Sequence, residues 1–195
     1  MPLKTDFQEQ KKSISEIPRQ IILIGYLKME ISGVNNGVDS MRNKGTKASF
    51  EVVKLSTLPD EVQKLCKESL DARTHAYAPY SNFLVGCALR TEAGIIKGCN
   101  VENAALPMCV CAEVTAVTKA VSEGYREFSA VAIATNTKDE FCAPCGACRQ
   151  TICEFNPDVV IYLVRASDEM VQITNLDSLL PQCFTPKRRK MEFSK

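Results

Sequence analysis

The chain has 195 residues, a formal net charge of +1 and 45% hydrophobic residues. That length suits one well-buried core with an appendage, and the interleaved acids and bases provide no basic field of the kind that nucleic-acid binding requires. Ten cysteines without a clear secretory signal point to a reducing, cytoplasmic setting in which thiols bind metal or lie buried, and no disulfides are expected.

Residues 1–56 read as an N-terminal extension, disordered or loosely docked, with room for one extra strand. Its apolar run Ile21 to Leu27 is too short to span a bilayer, and Asp6, Glu9 and Glu16 ahead of it speak against a targeting presequence. A domain over residues 57–186 follows. Thr57 is a candidate helix cap, with Pro59 and Asp60 in the first turn. Val62, Leu65, Cys66, Ser69, Ala72 and Ala76 then recur at helical spacing, and the helix ends before Pro79, with His75 capping its last turn. Leu84 to Arg90 and Gly94 to Gly98 read as a hairpin. Cys111 to Glu123 is a helix closed by Gly124, with Val114, Val117 and Val121 expected on its inner face.

Phe128 to Thr135 alternates as a buried strand, a loop leads to a second helix from Pro144, and Val159 to Val164 and Met170 to Thr174 supply two more strands. Asn175 to Leu180 is a short helix, and residues 187–195 form a basic tail. This order implies an α/β domain with a mixed five-stranded sheet and helices on its faces.

Two short stretches carry chemistry: Cys111-Ala112-Glu113, and Pro144 through Gln150, which contains Cys145 and Cys148. Cys145 and Cys148 are three apart on a helix, so their sulfurs point the same way. A helix start also favours thiolates, which are the forms that bind zinc. With Cys111 as third ligand, a tetrahedral Zn²⁺ keeps one position for water, as catalytic sites do. Glu113, two residues on, is placed to move protons. Two other readings of these cysteines are a redox pair and a closed structural site in which Cys109 adds a fourth thiolate.

Taken together with Tyr80-Ser81-Asn82-Phe83, Val85-Gly86, the run Gly98 to Ala104 and Leu179-Leu180-Pro181, these stretches resemble the small three-cysteine cytidine deaminases, from about Leu58 to Pro186. The resemblance implies a three-layer α/β/α fold and zinc-dependent hydrolytic deamination of cytidine and deoxycytidine in pyrimidine salvage. It implies Cys111, Cys145 and Cys148 as zinc ligands and Glu113 as the catalytic acid–base. It also implies a substrate site drawn from Phe83, Asn100, Glu102, Ala112 and Phe184. Asn100 and Glu102 would hold the ribose hydroxyls, and Phe83 would pack on the pyrimidine or sugar. Phe184 would close a neighbouring subunit's pocket in a homotetramer with shared active sites. The other readings are a non-catalytic zinc-stabilised module, and a deaminase of another aminopyrimidine or an RNA base.

The chain departs from the family pattern at Leu106, Cys109 and Val114. Val114 stands where the family carries an Arg able to draw charge from the sulfurs, a task then expected of the helix N-termini and Arg149.

Overall fold

A computed structural model describes residues 50–185; the apolar run Ile21 to Leu27 and the basic tail lie outside the described residues. The elements in chain order are β1 (Glu51–Lys54), α1 (Asp60–Thr74), β2 (Val85–Thr91), β3 (Gly94–Cys99), α2 (Ala112–Ser122), β4 (Ala130–Thr135), α3 (Gly146–Cys153), β5 (Val160–Arg165), β6 (Met170–Asn175) and α4 (Leu176–Leu179). They form one mixed sheet of order β1-β6-β5-β4-β2-β3, in which only β4 and β5 run parallel.

The sheet therefore has six strands where five were expected. The sixth is β1, which pairs antiparallel with β6 from residues ascribed to the extension, ahead of the expected boundary at residue 57. A four-residue strand with half-exposed Val52 carries almost no periodic signal, and its pairing with a strand more than a hundred residues later cannot be read locally.

Alternation along the central strands builds a core on each face of the sheet. In β4, Val131 and Ile133 face α2 and α3, while Ala132 and Ala134 face α1. On α1 the buried residues are Leu65, Cys66, Ser69 and Ala72, the stripe expected from the spacing. The start of the helix differs from expectation. Pro59 is its N-cap, and the Thr57 hydroxyl donates to the Lys54 carbonyl, closing a short turn over Leu55–Thr57. His75 is the C-cap, as expected.

The inner face of α2 also differs from the expected valine stripe. Ala112, Ala116 and Ala120 are fully buried with Val117, and Val114 and Val121 are half-buried. Small residues are required because the helix backbone lies almost against β3. A Cβ built on Gly98 would stand 2.4 Å from the Ala116 nitrogen and 2.6 Å from the Ala112 oxygen. Gly86 meets α1 in the same way, its missing Cβ falling 2.1 Å from the Ser69 oxygen and 2.3 Å from the Arg73 nitrogen.

Both obstacles at Gly86 are backbone atoms, which cannot rotate away as a side chain can. Gly86→Ala should therefore cost about 3 kcal/mol, the upper end of the usual overpacking penalty. That corresponds to a fall in Tm on the order of 10 °C for a domain of this size. An unchanged melting curve would mean that α1 does not lie this close to β2.

The expectation of no disulfides is overturned. Cys153 and Cys183 are bonded across 30 residues with their Cα atoms 6.7 Å apart. The end of α3 and the segment after α4 lie side by side, which spacing along the chain does not reveal. Cys66 and Cys87 are buried packing thiols, and burial pushes the Cys66 pKa up to about 12.

Candidate metal centre and substrate cavity

Two helices, α2 and α3, begin with a thiol. Cys111 is the N-cap of α2 and Cys145 the N-cap of α3, both in extended backbone, and Cys148 follows in the first turn of α3. Pro144 consequently sits one residue ahead of the cap, not at the first helical position expected for it. α2 follows β3 and α3 follows β4, strands that point the same way with β2 between them, so both helices start at one end of the sheet. The sulfurs of Cys111, Cys145 and Cys148 lie within 4.8 Å of one another.

A tetrahedral zinc with sulfurs at about 2.3 Å spaces them by about 3.8 Å. The cluster therefore needs little adjustment to hold one. The donor set also asks for a cation. Burial pushes the thiols of Cys111 and Cys148 above the ordinary range, whereas the backbone N–H groups of Cys148 and Ala147 at the start of α3 hold the Cys145 thiol below it. A divalent ion would bring all three to the thiolate form.

Glu113 is only 4% exposed. Burial raises its pKa, and the Cys148 thiol beside it pulls partly the other way. A carboxyl that holds a proton more readily than usual, next to a metal-binding cluster, is suited to accepting a proton and returning it.

The cluster opens on a cavity of about 270 Å³, the size of a small-molecule site. Cys111, Cys145, Ala112 and Glu113 line one part of it, and Phe83, Asn100 and Glu102 another. Six of the eight other expected residues thus meet there with Glu113, while Cys148 is not among the lining residues and is fully buried. Phe184 is half-exposed and is not among the lining residues; its carbonyl accepts from Gln150 Nε2 at 2.7 Å.

Asn100 and Glu102 do more than face the cavity. Asn100 Oδ1 accepts from the Val85 nitrogen and Nδ2 donates to the Phe83 carbonyl, each at 2.8 Å. The Glu102 carboxylate accepts from the Tyr80 nitrogen at 2.8 Å and the Ser81 nitrogen at 3.3 Å, and from the Ser81 hydroxyl. These donors hold its pKa below the ordinary carboxylate range, the Ser81 hydroxyl having the largest effect. Oε2 takes both backbone donors and Oε1 only the Ser81 hydroxyl, so Oε1 keeps lone-pair capacity for a ligand hydroxyl.

Two further cysteines and an arginine find their places here. Cys109 is exposed and its sulfur lies against Asn103, accepting from the backbone nitrogen at 3.3 Å. It is outside the metal cluster, so the described residues do not form the closed four-thiolate site. Cys142 and Thr135, which the sequence did not single out, also line the cavity. They arrive there through strand ends and a loop, without a motif of their own. Arg149 does not reach the sulfurs by any contact seen here. Its Nε donates to the Pro144 carbonyl at 2.7 Å and its Nη1 to the Leu179 carbonyl at 2.8 Å, so it ties the ligand loop to α4.

Comparison with known proteins agrees with this geometry. Residues 59–164 match the family described as the cytidine and deoxycytidylate deaminase zinc-binding region. The chain is 47% identical over 127 residues to a cytidine deaminase of Sporosarcina psychrophila, covering 64% of this chain and 92% of that protein. It is 46% identical over 125 residues to one from Halalkalibacterium halodurans, covering 63% and 93%. The crystal structure of cytidine deaminase from Burkholderia pseudomallei superposes with a TM-score of 0.59 at 42% identity, covering 65% of this chain and all of that one. Among the described residues no helix is long and apolar enough to cross a membrane.

Proposed function

We propose, from the premise that this chain belongs to the family of zinc-binding cytidine and deoxycytidylate deaminases, that it hydrolyses the 4-amino group of cytidine and deoxycytidine, yielding uridine and deoxyuridine for pyrimidine salvage. The observation that carries this reading is the meeting of Cys111, Cys145 and Glu113 in one cavity with Phe83, Asn100 and Glu102. Acid–base chemistry thereby shares a small space with polar groups and an aromatic ring.

Cys111, Cys145 and Cys148 would hold Zn²⁺, which supplies a Lewis acid and brings the pKa of a water molecule to about 7. Glu113 would accept a proton from the attacking water and pass it to N3 of the pyrimidine as a C–O bond forms at C4. The same carboxyl then moves the remaining hydroxyl proton to the amino group, which leaves as ammonia while C4 becomes a carbonyl. Asn100 and Glu102 take the sugar hydroxyls through their remaining lone pairs and N–H, and Phe83 packs against the pyrimidine or sugar. Ala112, at the first position of α2, forms the floor beside Glu113.

The position of Phe184 outside its own protomer's cavity supports the reading that it closes a neighbour's site in a homotetramer. The balanced charge supports a nucleoside as substrate over a nucleic acid, and a cytoplasmic setting fits salvage chemistry. The test is release of ammonia and uridine from cytidine, and of deoxyuridine from deoxycytidine, by zinc-loaded protein. Sustained turnover is expected with both nucleosides, and its absence from both with zinc bound would end this reading.

A further inference from the structure

The segment from Tyr80 to Val85 is built almost wholly from borrowed hydrogen bonds. It has no strand partner until β2 begins, and Asn82 takes a left-handed backbone with φ +56. Glu102 receives the nitrogens of Tyr80 and Ser81, the Ser81 hydroxyl accepts from the Phe83 nitrogen at 3.0 Å, and Asn100 brackets the Phe83 carbonyl and Val85 nitrogen. Of these partners, Asn100 and Glu102 line the cavity. A further bracket comes from Asn136, just past the end of β4. Its Nδ2 donates to the Asn82 carbonyl at 3.0 Å, and its Oδ1 accepts from the Leu84 nitrogen at 3.2 Å. Phe83 lies between those two bonds. Phe83 and Val85 line the cavity and Asn136 does not.

We propose that Asn136 is a positioning residue for substrate binding, holding the cavity wall at Phe83 and Val85 in the conformation that the nucleoside meets. A single primary amide satisfies one carbonyl and one N–H two residues apart, which only a side chain with both a donor and an acceptor at its tip can do. Without it the turn at Asn82 keeps its backbone bond to the Ala78 carbonyl but loses both bonds flanking Phe83, and the wall samples other conformations at the expense of ligand affinity. Glu113 and the three thiols belong to other segments, so the chemical step keeps its geometry. The inference rests on the deaminase reading given above.

The test compares zinc-loaded wild type with Asn136→Ala, Phe83→Ala and the double variant, using cytidine. Wild-type turnover establishes the reading first, so that failure of the strap is seen separately. Asn136→Ala should raise KM about tenfold and leave kcat within about threefold, the signature of lost binding that does not touch the transition state alone. Zinc content should be unchanged. In the Phe83→Ala background the same substitution should raise KM by less, because the two residues act through one wall. Unchanged KM in folded, zinc-loaded Asn136→Ala overturns the proposal, as does a fall in kcat that tracks loss of zinc. Should Asn136→Ala not fold, Asn136→Asp keeps the acceptor for Leu84 and loses the donor to Asn82. A rise in its KM supports the strap and an unchanged KM overturns it.

Discussion

Replacing Glu113 by Gln should lower kcat for cytidine by at least about 10³-fold, within the range that a positioned general acid–base contributes. Zinc content should stay stoichiometric, since the proposed ligands are the clustered Cys111, Cys145 and Cys148 and not Glu113. The amide has the shape of the carboxyl but neither accepts nor returns a proton at neutral pH, so the substitution isolates the proton transfers. A second consequence concerns the metal-free protein. Burial raises the folded-state pKa of Glu113 above its ordinary value of 4.5. As pH rises past that value the unfolded chain gives up this proton before the folded chain does, so the group costs stability progressively toward neutral pH. Metal-free Glu113→Gln should therefore be more stable than the metal-free wild type at pH 7, and the difference should shrink as pH falls below the ordinary carboxylate pKa. Denaturant midpoints across that interval check this. Normal turnover in the variant would remove Glu113 from the mechanism.

Cys148→Ala should abolish stoichiometric zinc and with it deaminase activity, by more than about 10³-fold in kcat/KM. This sulfur comes from a fully buried residue, and the two ligands left to the ion are the helix caps, Cys111 and Cys145. Two sulfurs do not make a competitive zinc site against the aqueous ion. Wild type should lose thermal stability on chelation and Cys148→Ala should not. Metal bound only to the folded state adds stability that grows with its free concentration over Kd, about 4 kcal/mol at a thousandfold excess. Cys109→Ala is the control. Its sulfur is engaged with Asn103, so zinc content and the count of sulfur ligands by X-ray absorption should match the wild type. A loss of zinc in that variant would revive the four-thiolate site and count against an open coordination position.

The departure at Val114 takes a different form in the structure than the sequence suggested. Arg149 spends two of its donors on the carbonyls of Pro144 and Leu179, so its effect on the metal loop is mechanical. Charge on the cluster is met at the start of α3, where the N–H groups of Cys148 and Ala147 already favour the Cys145 thiolate. Arg149 is one turn from the ligands in sequence, which made it look available. The direction of its side chain was set by α4, thirty residues downstream.

What the sequence determined by itself was local chemistry: which helices start with a thiol, that Cys145 and Cys148 share one turn, that Glu113 follows Cys111 by two, and which face of each strand is apolar. Helical rise and strand pleat are properties of a few consecutive residues, so spacing encodes them. The tertiary structure decided everything that depends on two distant segments lying side by side. It supplied β1 as a sixth strand against β6, joined Cys153 to Cys183, brought Cys142 and Thr135 to the cavity, and tied Asn136 to the backbone on either side of Phe83. Those pairings follow from how the sheet orders its strands and how close Gly86 and Gly98 let the helices approach. Neither is carried by any short window of residues, because the packing energy that selects them is spread over the whole core.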